Sequence, residues 1–404
     1  MSNKENGIGF EQAQTKIRRK DNIFESLRHK EVIKAQEFFA EVADGETFPN
    51  TSAFIVTHLV PGRGETFIHG LSQISPIAGI LPKPNSIDKQ ESSSVGQKHE
   101  VVLWGRKDVN NIALVIPKFQ EMLKSDQQEI VLLDIGGYFA QSLNELSKAL
   151  GGRLKGVVED TENGLQNYLQ LPDIPCPVLQ AARSPLKEPE DYLVGQSLVF
   201  SAEALLRELG AVMTNQNVLI LGYGKIGHSI AETLGRRNIR AMIYDNDPIR
   251  HLQARGHGFE TPPKDVGLEK ADMVFSATGR KGLREEDFPK LKKGACVATV
   301  TSADDELDVE GLVSKYYAES VTDRVEQYSS RTDNHYLYLM NQGNAVNFIH
   351  KAVVGPYIYL VQGELLRAFQ LAARGDLPKG IIELPREERQ RIATLWMNKF
   401  NAAH

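Results

Sequence analysis

The sequence predicts an α/β protein built from parallel strands and helical crossovers, and three observations predict it. Short apolar runs such as Ile130-Val131-Leu132-Leu133 alternate with segments of helical periodicity. One such run leads directly into a glycine-rich turn that opens a helix. The length of 404 residues suits two or three domains, and 41% hydrophobic with 25% charged residues is ordinary globular composition that argues against disorder. Lys and Arg number 47 against 52 Asp and Glu, a net charge of −5, which gives no electrostatic footprint for nucleic acid or an anionic membrane. No apolar stretch approaches the ~18 residues of a membrane span. The opening Met1-Ser2-Asn3-Lys4 lacks the apolar run of a secretory signal, so a cytoplasmic protein is expected. Cys176 and Cys296 are the only cysteines, too few for a disulfide framework or a cysteine metal cluster.

Taken in order, residues 1–50 read as polar helix, with Lys16, Arg18, Arg19 and Lys20 as a solvated basic run. Phe54-Ile55-Val56-Thr57 reads as a strand followed by a turn and a helix; residues 82–100, polar and Ser-rich, read as an exposed loop. From Glu100 onward a strand is expected at 101–104, a helix at 111–123 and a buried strand at 130–134, ending at Gly136-Gly137. A helix at 197–210 precedes strands at 217–221, 240–244, 273–277 and 295–300. A long apolar helix at 348–373 and a charged helix from Arg386 close the chain.

The most informative motif is Gly222-Tyr223-Gly224-Lys225-Ile226-Gly227, between the apolar run 217–221 and a helical segment. There the first glycine makes a tight turn, the second lets backbone approach a pyrophosphate, and the third packs helix on strand. The helix N-terminus adds unbonded N–H groups and the positive end of its dipole. Asp245 ends the next strand 18 residues after Gly227, where a carboxylate grips a ribose 2′-hydroxyl. With no arginine at that strand tip, NAD is favoured over NADP in a Rossmann domain. Thr278-Gly279 ends a further strand and is expected to lie along the cofactor. No Gly-x-Ser-x-Gly elbow and no metal-ligand spacing occurs.

Between Gly156 and Asp308 the order and spacing of motifs resemble the S-adenosylhomocysteine hydrolase family. The matching segments are Gly156-Val157-Val158-Glu159-Asp160-Thr161, Lys187 and Asp191 four apart before Val194-Gly195, the Gly222–Gly227 turn, Asp245-Asn246-Asp247-Pro248, and Thr278-Gly279. Thr57-His58-Leu59, Leu133-Asp134-Ile135-Gly136-Gly137 and Asn341-Gln342-Gly343 add thinner likenesses. The resemblance implies two lobes: a doubly wound substrate domain at 1–195, a Rossmann NAD domain at 196–343 and C-terminal helices at 344–404 returning to the first, with the active cleft between them. It also implies a resident NAD that oxidises a secondary, ribose 3′-type hydroxyl of a nucleoside-like substrate, so that the neighbouring C–H becomes acidic and elimination and addition can follow. By the same resemblance Lys187 assists removal of the hydroxyl proton, Asp191 positions the hydroxyls, Asp160 holds the sugar and His58 serves near the leaving group. Glu159, Thr161 and Tyr192 contact substrate; Gly222, Gly224, Lys225, Ile226, Gly227, Asp245, Thr278, Gly279 and Asn341 hold the cofactor, Asn341 at the nicotinamide carboxamide.

Departures qualify that picture. The family's second aspartate is Ile135 here, its histidine after the last Rossmann strand is Ser302, and its cysteine beside the nicotinamide is Gln196. Tyr192 stands for an asparagine, and Asp160 is one methylene shorter than the family's glutamate. Losing acid/base groups costs about 10²–10⁴ in rate each, so hydrolysis of S-adenosylhomocysteine itself is not expected. With no counterpart of the family's C-terminal arm, a homodimer is expected as readily as a homotetramer. Plainer readings stand beside these: Lys187 as a loop lysine, His58 as a satisfied half-buried histidine, Glu159 and Asp160 as helix-capping acids, and His228 as a first-turn residue. Two alternatives stay open, a catalytically silent NAD- or nucleoside-binding protein and a dehydrogenase of the 2-hydroxyacid type.

Overall fold

Apolar runs that are too short for helices become the strands of two largely parallel sheets. The computed structural model describes residues 29–59 and 64–400, so the basic run at 16–20 lies outside the described residues. The strands are β1 (Thr51–Leu59), β2 (Ile77–Ile87), β3 (Glu129–Asp134), β4 (Leu154–Glu159), β5 (Pro177–Gln180), β6 (Val218–Leu221), β7 (Ala241–Tyr244), β8 (Met273–Ser276), β9 (Cys296–Thr299), β10 (Tyr316–Thr322), β11 (Val325–Ser330), β12 (Tyr336–Met340) and β13 (Gly380–Ile382). Helices that position the site are α1 (29–43), α2 (Glu162–Leu169), α3 (Glu188–Glu208), α4 (Lys225–Arg236), α5 (Pro248–Gly256), α6 (Tyr357–Arg374) and α7 (Arg386–Phe400). The chain divides into two units, one running to Leu186 and resuming at Ile358, the other Lys187–Tyr357.

The first unit holds a six-stranded, wholly parallel sheet in the order β13-β5-β4-β3-β1-β2. Its chain winds from β1 outward to β2, then crosses to β3 on the other side, so a topological switch point lies between β1 and β3. Such points, at the carboxyl ends of the strands, are where open α/β sheets bind ligands. The core on one face is aliphatic and aromatic, with Phe54, Phe119 and Phe139 ring to ring at 4.8–5.6 Å. Helix α6 completes this unit: a Cβ on Gly363 would lie 2.7 Å from the Phe38 ring, so only a glycine lets α1 approach so closely.

The second unit holds a seven-stranded sheet in the order β10-β11-β12-β9-β8-β6-β7. Strands β7, β6, β8, β9 and β12 run parallel; β11 pairs antiparallel with β12, and β10 pairs antiparallel with β11 at the edge. Here the switch point lies between β6 and β8, beside the glycine-rich turn.

Several expectations need correction. Residues 82–100 are not a loop: β2 continues to Ile87 because it pairs with β1, and Asp88 then caps a helix over Lys89–Gly96, accepting from the backbone of Gln90 (2.9 Å) and Glu91 (3.1 Å). Residues 101–104 contribute one bridge, Ile80 with Val101, rather than a strand. Helix α3 starts nine residues earlier than expected, with Pro189 in its first turn, where a missing N–H costs nothing. The apolar stretch 348–373 is broken by Lys351 and Ala352 at positive φ and by Pro356, so α6 begins only at Tyr357.

Candidate functional site

Two glycine turns dominate the carboxyl edges of the sheets, one in each unit. In the second unit β6 ends at Leu221 and Gly222 turns the chain at φ +96, where a Cβ would meet the Ala277 carbonyl oxygen at 2.5 Å. A Cβ on Gly227 would lie 2.0 Å from the Gly222 carbonyl oxygen, so the third glycine lets α4 close onto its own turn. Above Gly224 a Cβ would have, its chain neighbours aside, the Arg250 guanidinium alone within 4 Å among the described residues. Asp245 is buried at the end of β7, accepting from the backbone N–H of Tyr223 (2.6 Å) and Asp247 (2.8 Å). The first amides of α4 have no intrahelical acceptor and offer themselves to an anion. A phosphate over Gly224 and a ribose beside Asp245 therefore fit this turn.

Thr278 and Gly279 follow β8, and a fully buried carboxylate fixes their conformation. Glu306 accepts from Ser276 Oγ (2.7 Å), the Thr278 backbone and hydroxyl (3.0 Å each), the Gly279 N–H (2.9 Å) and Thr301 Oγ1 (2.9 Å). Sequence reasoning missed Glu306 because Asp304-Asp305-Glu306 looks like a solvated acidic run.

Helices α3 and α4 pack closely because Gly195 has no side chain; a Cβ there would lie 2.3 Å from Ser229 Oγ. That contact brings the start of α3 to the start of α4. Asp191 is buried there, 3.8 Å from Lys187 Nζ and 3.4 Å from Lys225 Nζ, and Lys187 also donates to Glu190 at 2.9 Å. Burial pushes the Asp191 carboxyl up, and the two ammonium groups oppose it. Lys187, Asp191 and the fingerprint residue Lys225 thus form one cluster.

Two expected contacts of this unit are spent elsewhere. Tyr192 runs along α4 to Arg236, its hydroxyl accepting from that guanidinium, whose carbon lies 5.5 Å from the ring centroid. This engagement favours a role in joining helices over one in contacting substrate. Asn341, at φ +49, donates its side-chain amide to the Asn344 (3.3 Å) and Ala345 (3.1 Å) carbonyls, so that nitrogen serves its own turn. Asn347, which sequence reasoning left unassigned, is 4% exposed, and its Oδ1 has no hydrogen-bond partner among the described residues. It follows by four residues Gly343, whose carbonyl accepts from the Thr299 hydroxyl at the carboxyl end of β9 at 2.6 Å. An orphaned amide oxygen there fits a carboxamide donor.

In the first unit the turn after β3 carries its own acceptor. Gly136 and Gly137 stand at φ +111 and +60, and Glu159 accepts from the Gly136 N–H (3.0 Å), the Gly137 N–H (2.6 Å) and the Thr161 N–H and hydroxyl (2.7 and 2.8 Å). The Thr161 hydroxyl in turn accepts from Gly164 at 3.0 Å as the cap of α2. Glu159 is fully buried and Thr161 is committed at both ends, which corrects their expected substrate contacts: both residues anchor the turn. Asp134 is also fully buried, accepting from Tyr138 (2.9 Å), Phe139 (2.8 Å) and the Tyr168 hydroxyl. Burial raises the Asp134 carboxyl; burial, then Asp134 and Asp160, push Glu159 up to about 8. Asp160 follows at the end of β4, 9% exposed, and His58 lies half-buried near the end of β1, two residues past the Val56–Asp134 pair. His58 therefore borders the switch point of this unit, and Asp160 lies one strand beyond it, at the carboxyl end of β4.

Among the described residues no group of His, Cys, Asp or Glu is arranged to hold a metal, and no helix is long and apolar enough to cross a membrane. A groove of about 840 Å³, lined by Asn217, Arg240, Lys270 and Lys292, lies at the amino-terminal edge of the second sheet, away from the glycine turn.

Residues 192–352 match the family model described as S-adenosyl-L-homocysteine hydrolase, NAD binding domain. Among solved structures, the TT0316 protein from Thermus thermophilus is 13% identical, with 65% of this chain and 77% of that one covered at a TM-score of 0.39. A putative D-3-phosphoglycerate dehydrogenase from Ralstonia solanacearum is 18% identical, with 65% and 76% covered at 0.37. The apo D-lactate dehydrogenase from Escherichia coli is 13% identical, with 65% and 78% covered at 0.35. Likenesses this weak support no chemical conclusion.

Proposed function

Since the chain belongs through residues 192–352 to the S-adenosyl-L-homocysteine hydrolase family and binds NAD there, we propose that it oxidises a secondary hydroxyl of a nucleoside-like substrate. The observation that carries this reading is the cluster of Lys187, Asp191 and Lys225 at the fingerprint turn. When bound, NAD supplies a hydride acceptor. Asp191 accepts a hydrogen bond from the sugar hydroxyls, and its two lysine neighbours favour the ionised form that can do so. Lys187 holds the proton at the oxygen being oxidised, a general acid/base task typically worth 10²–10⁴ in rate. In this reading Asp160 holds the sugar and His58 serves near the leaving group. Ile135, 8% exposed where the family has a carboxylate, supports a shortened reaction cycle.

The test is to mix the purified protein with adenosine and related nucleosides and follow the absorbance band of NADH. The wild type is expected to form NADH, and Lys187→Ala to lose at least a hundredfold in rate while still binding the nucleoside. A nucleoside that binds without reduction of NAD would instead favour a silent binding homologue, which the buried Ile135 also supports. Absence of both binding and reduction would overturn the reading.

A further inference from the structure

We propose that Arg250 is a phosphate-binding residue of the dinucleotide site and sets its preference for ligands with a pyrophosphate. The inference uses the NAD site alone and is independent of the hydroxyl-oxidation reading. The middle glycine of the turn exists so that a phosphate can approach the backbone. Among the described residues, its chain neighbours aside, a Cβ built on Gly224 meets only Arg250, at 3.4 Å from Nη1 and 4.0 Å from Cζ. The guanidinium therefore borders the volume that a phosphate would enter.

The sequence places Arg250 five residues beyond the strand tip, and the fold brings it back. Asp247 caps α5, accepting from the Ile249 N–H at 2.9 Å, and Pro248 opens the helix at once, so Arg250 falls in its first turn. Asp247 lies 3.9 Å from the Arg250 Nε, a half-exposed pair too loose to hold the guanidinium against a dianion. An arginine presents a planar fork that matches two phosphate oxygens, and the opening amides of α4 complete the cradle. Arg250 could instead meet a 2′-phosphate, but the buried Asp245 carboxylate occupies the ribose end of the turn and repels one.

The test compares adenosine, ADP, NAD and NADP binding to the full-length protein by calorimetry, in the wild type, Arg250→Ala and Arg250→Lys. Arg250→Ala is expected to weaken ADP and NAD about tenfold to a hundredfold and to leave adenosine within about twofold. Arg250→Lys is expected to recover part of the loss, since it keeps the charge without the fork. Equal losses for adenosine and ADP would mean that the guanidinium stacks on the base, and a loss confined to NADP would mean that it reads the 2′ position. Either result, or unchanged ADP and NAD affinity, overturns the proposal. Because no turnover is measured, failure here leaves the hydroxyl-oxidation reading standing, and the converse.

Discussion

The two units carry the same device at their switch points and use it in opposite ways. In each, a glycine turn after a buried strand presents backbone N–H groups to an acceptor. After β3 the acceptor is the protein's own: the Glu159 carboxyl group fills the Gly136-Gly137 turn and is sealed from water. After β6 the protein fills one position, with Asp245 accepting from Tyr223, and leaves the space over Gly224 open. A glycine-rich turn therefore reports only that backbone amides point outward. Whether they await a ligand depends on whether the fold has already brought them a carboxylate. The turn at Thr278-Gly279 repeats the lesson, because Glu306 has claimed its amides.

The comparison breaks most visibly at the glycines themselves. Gly227→Ala places a methyl 2.0 Å from the Gly222 carbonyl oxygen, distorting the cradle, and is expected to lower NAD affinity more than a hundredfold by calorimetry. Gly164→Ala is the counterpart in the first unit, with a methyl 1.9 Å from Glu159 Oε2 and 2.6 Å from the Gly137 nitrogen. It is expected to destabilise that unit by about 3 kcal/mol, as overpacking does, and to leave NAD affinity within about twofold. If Gly164→Ala abolished NAD binding, the separation between structural and ligand-binding turns would be wrong.

The reason one turn was legible in the sequence and the other was not is physical. The Gly222–Gly227 spacing, the apolar strand before it and Asp245 after it are all local, so the NAD turn could be read directly. Glu159 reaches Gly136 across 23 positions, and Glu306 reaches Thr278 across 28. Nothing in their immediate sequence distinguishes them from helix-capping or solvated acids. The same distance limit explains the fold: β6 to β9 were legible as apolar runs, whereas β10 to β12, with Tyr317 and Val321 exposed, owe their strand conformation to pairing with each other and β9. Tyr192 and Asn341 were placed by resemblance, and the structure gives each a partner that only packing could reveal.

Acidity sharpens the contrast at a smaller scale. The Glu159 carboxyl moves from an ordinary 4.5 to about 8 in the folded chain, because burial and two carboxyl neighbours outweigh the bonds it accepts. Between those values the folded state binds more protons than the unfolded one, so its stability falls as pH rises. The contribution is fully present below about pH 4.5 and lost as pH passes through about 8. Glu159→Gln cannot titrate. It is expected to lower the melting temperature at pH 6, a cost of about 1–3 kcal/mol because the amide NH2 leaves one buried backbone donor of the turn unpaired, and to flatten the decline between pH 6 and 9. The slope that remains belongs to Asp134, which burial shifts the same way. An unchanged slope in the variant would remove Glu159 from this role, and calorimetry with NAD should detect no change in either protein.

The smallest effect distinguishes two asparagines only six positions apart. Asn341 spends its amide nitrogen on the carbonyls of its own turn, whereas Asn347 Oδ1 is buried without a partner among the described residues. A buried acceptor left unpaired costs about 1–3 kcal/mol, so a ligand donor that reaches it recovers part of that cost. Asn347→Ala is therefore expected to weaken NAD about fivefold, near 1 kcal/mol, while ADP, which lacks a carboxamide, binds unchanged. Asn341→Ala is expected to lower the melting temperature and to shift NAD and ADP together, if at all. The ratio of NAD to ADP affinity measured on both variants separates the two roles. If Asn341→Ala alone lowers that ratio, the nicotinamide contact returns to the residue that the sequence first suggested.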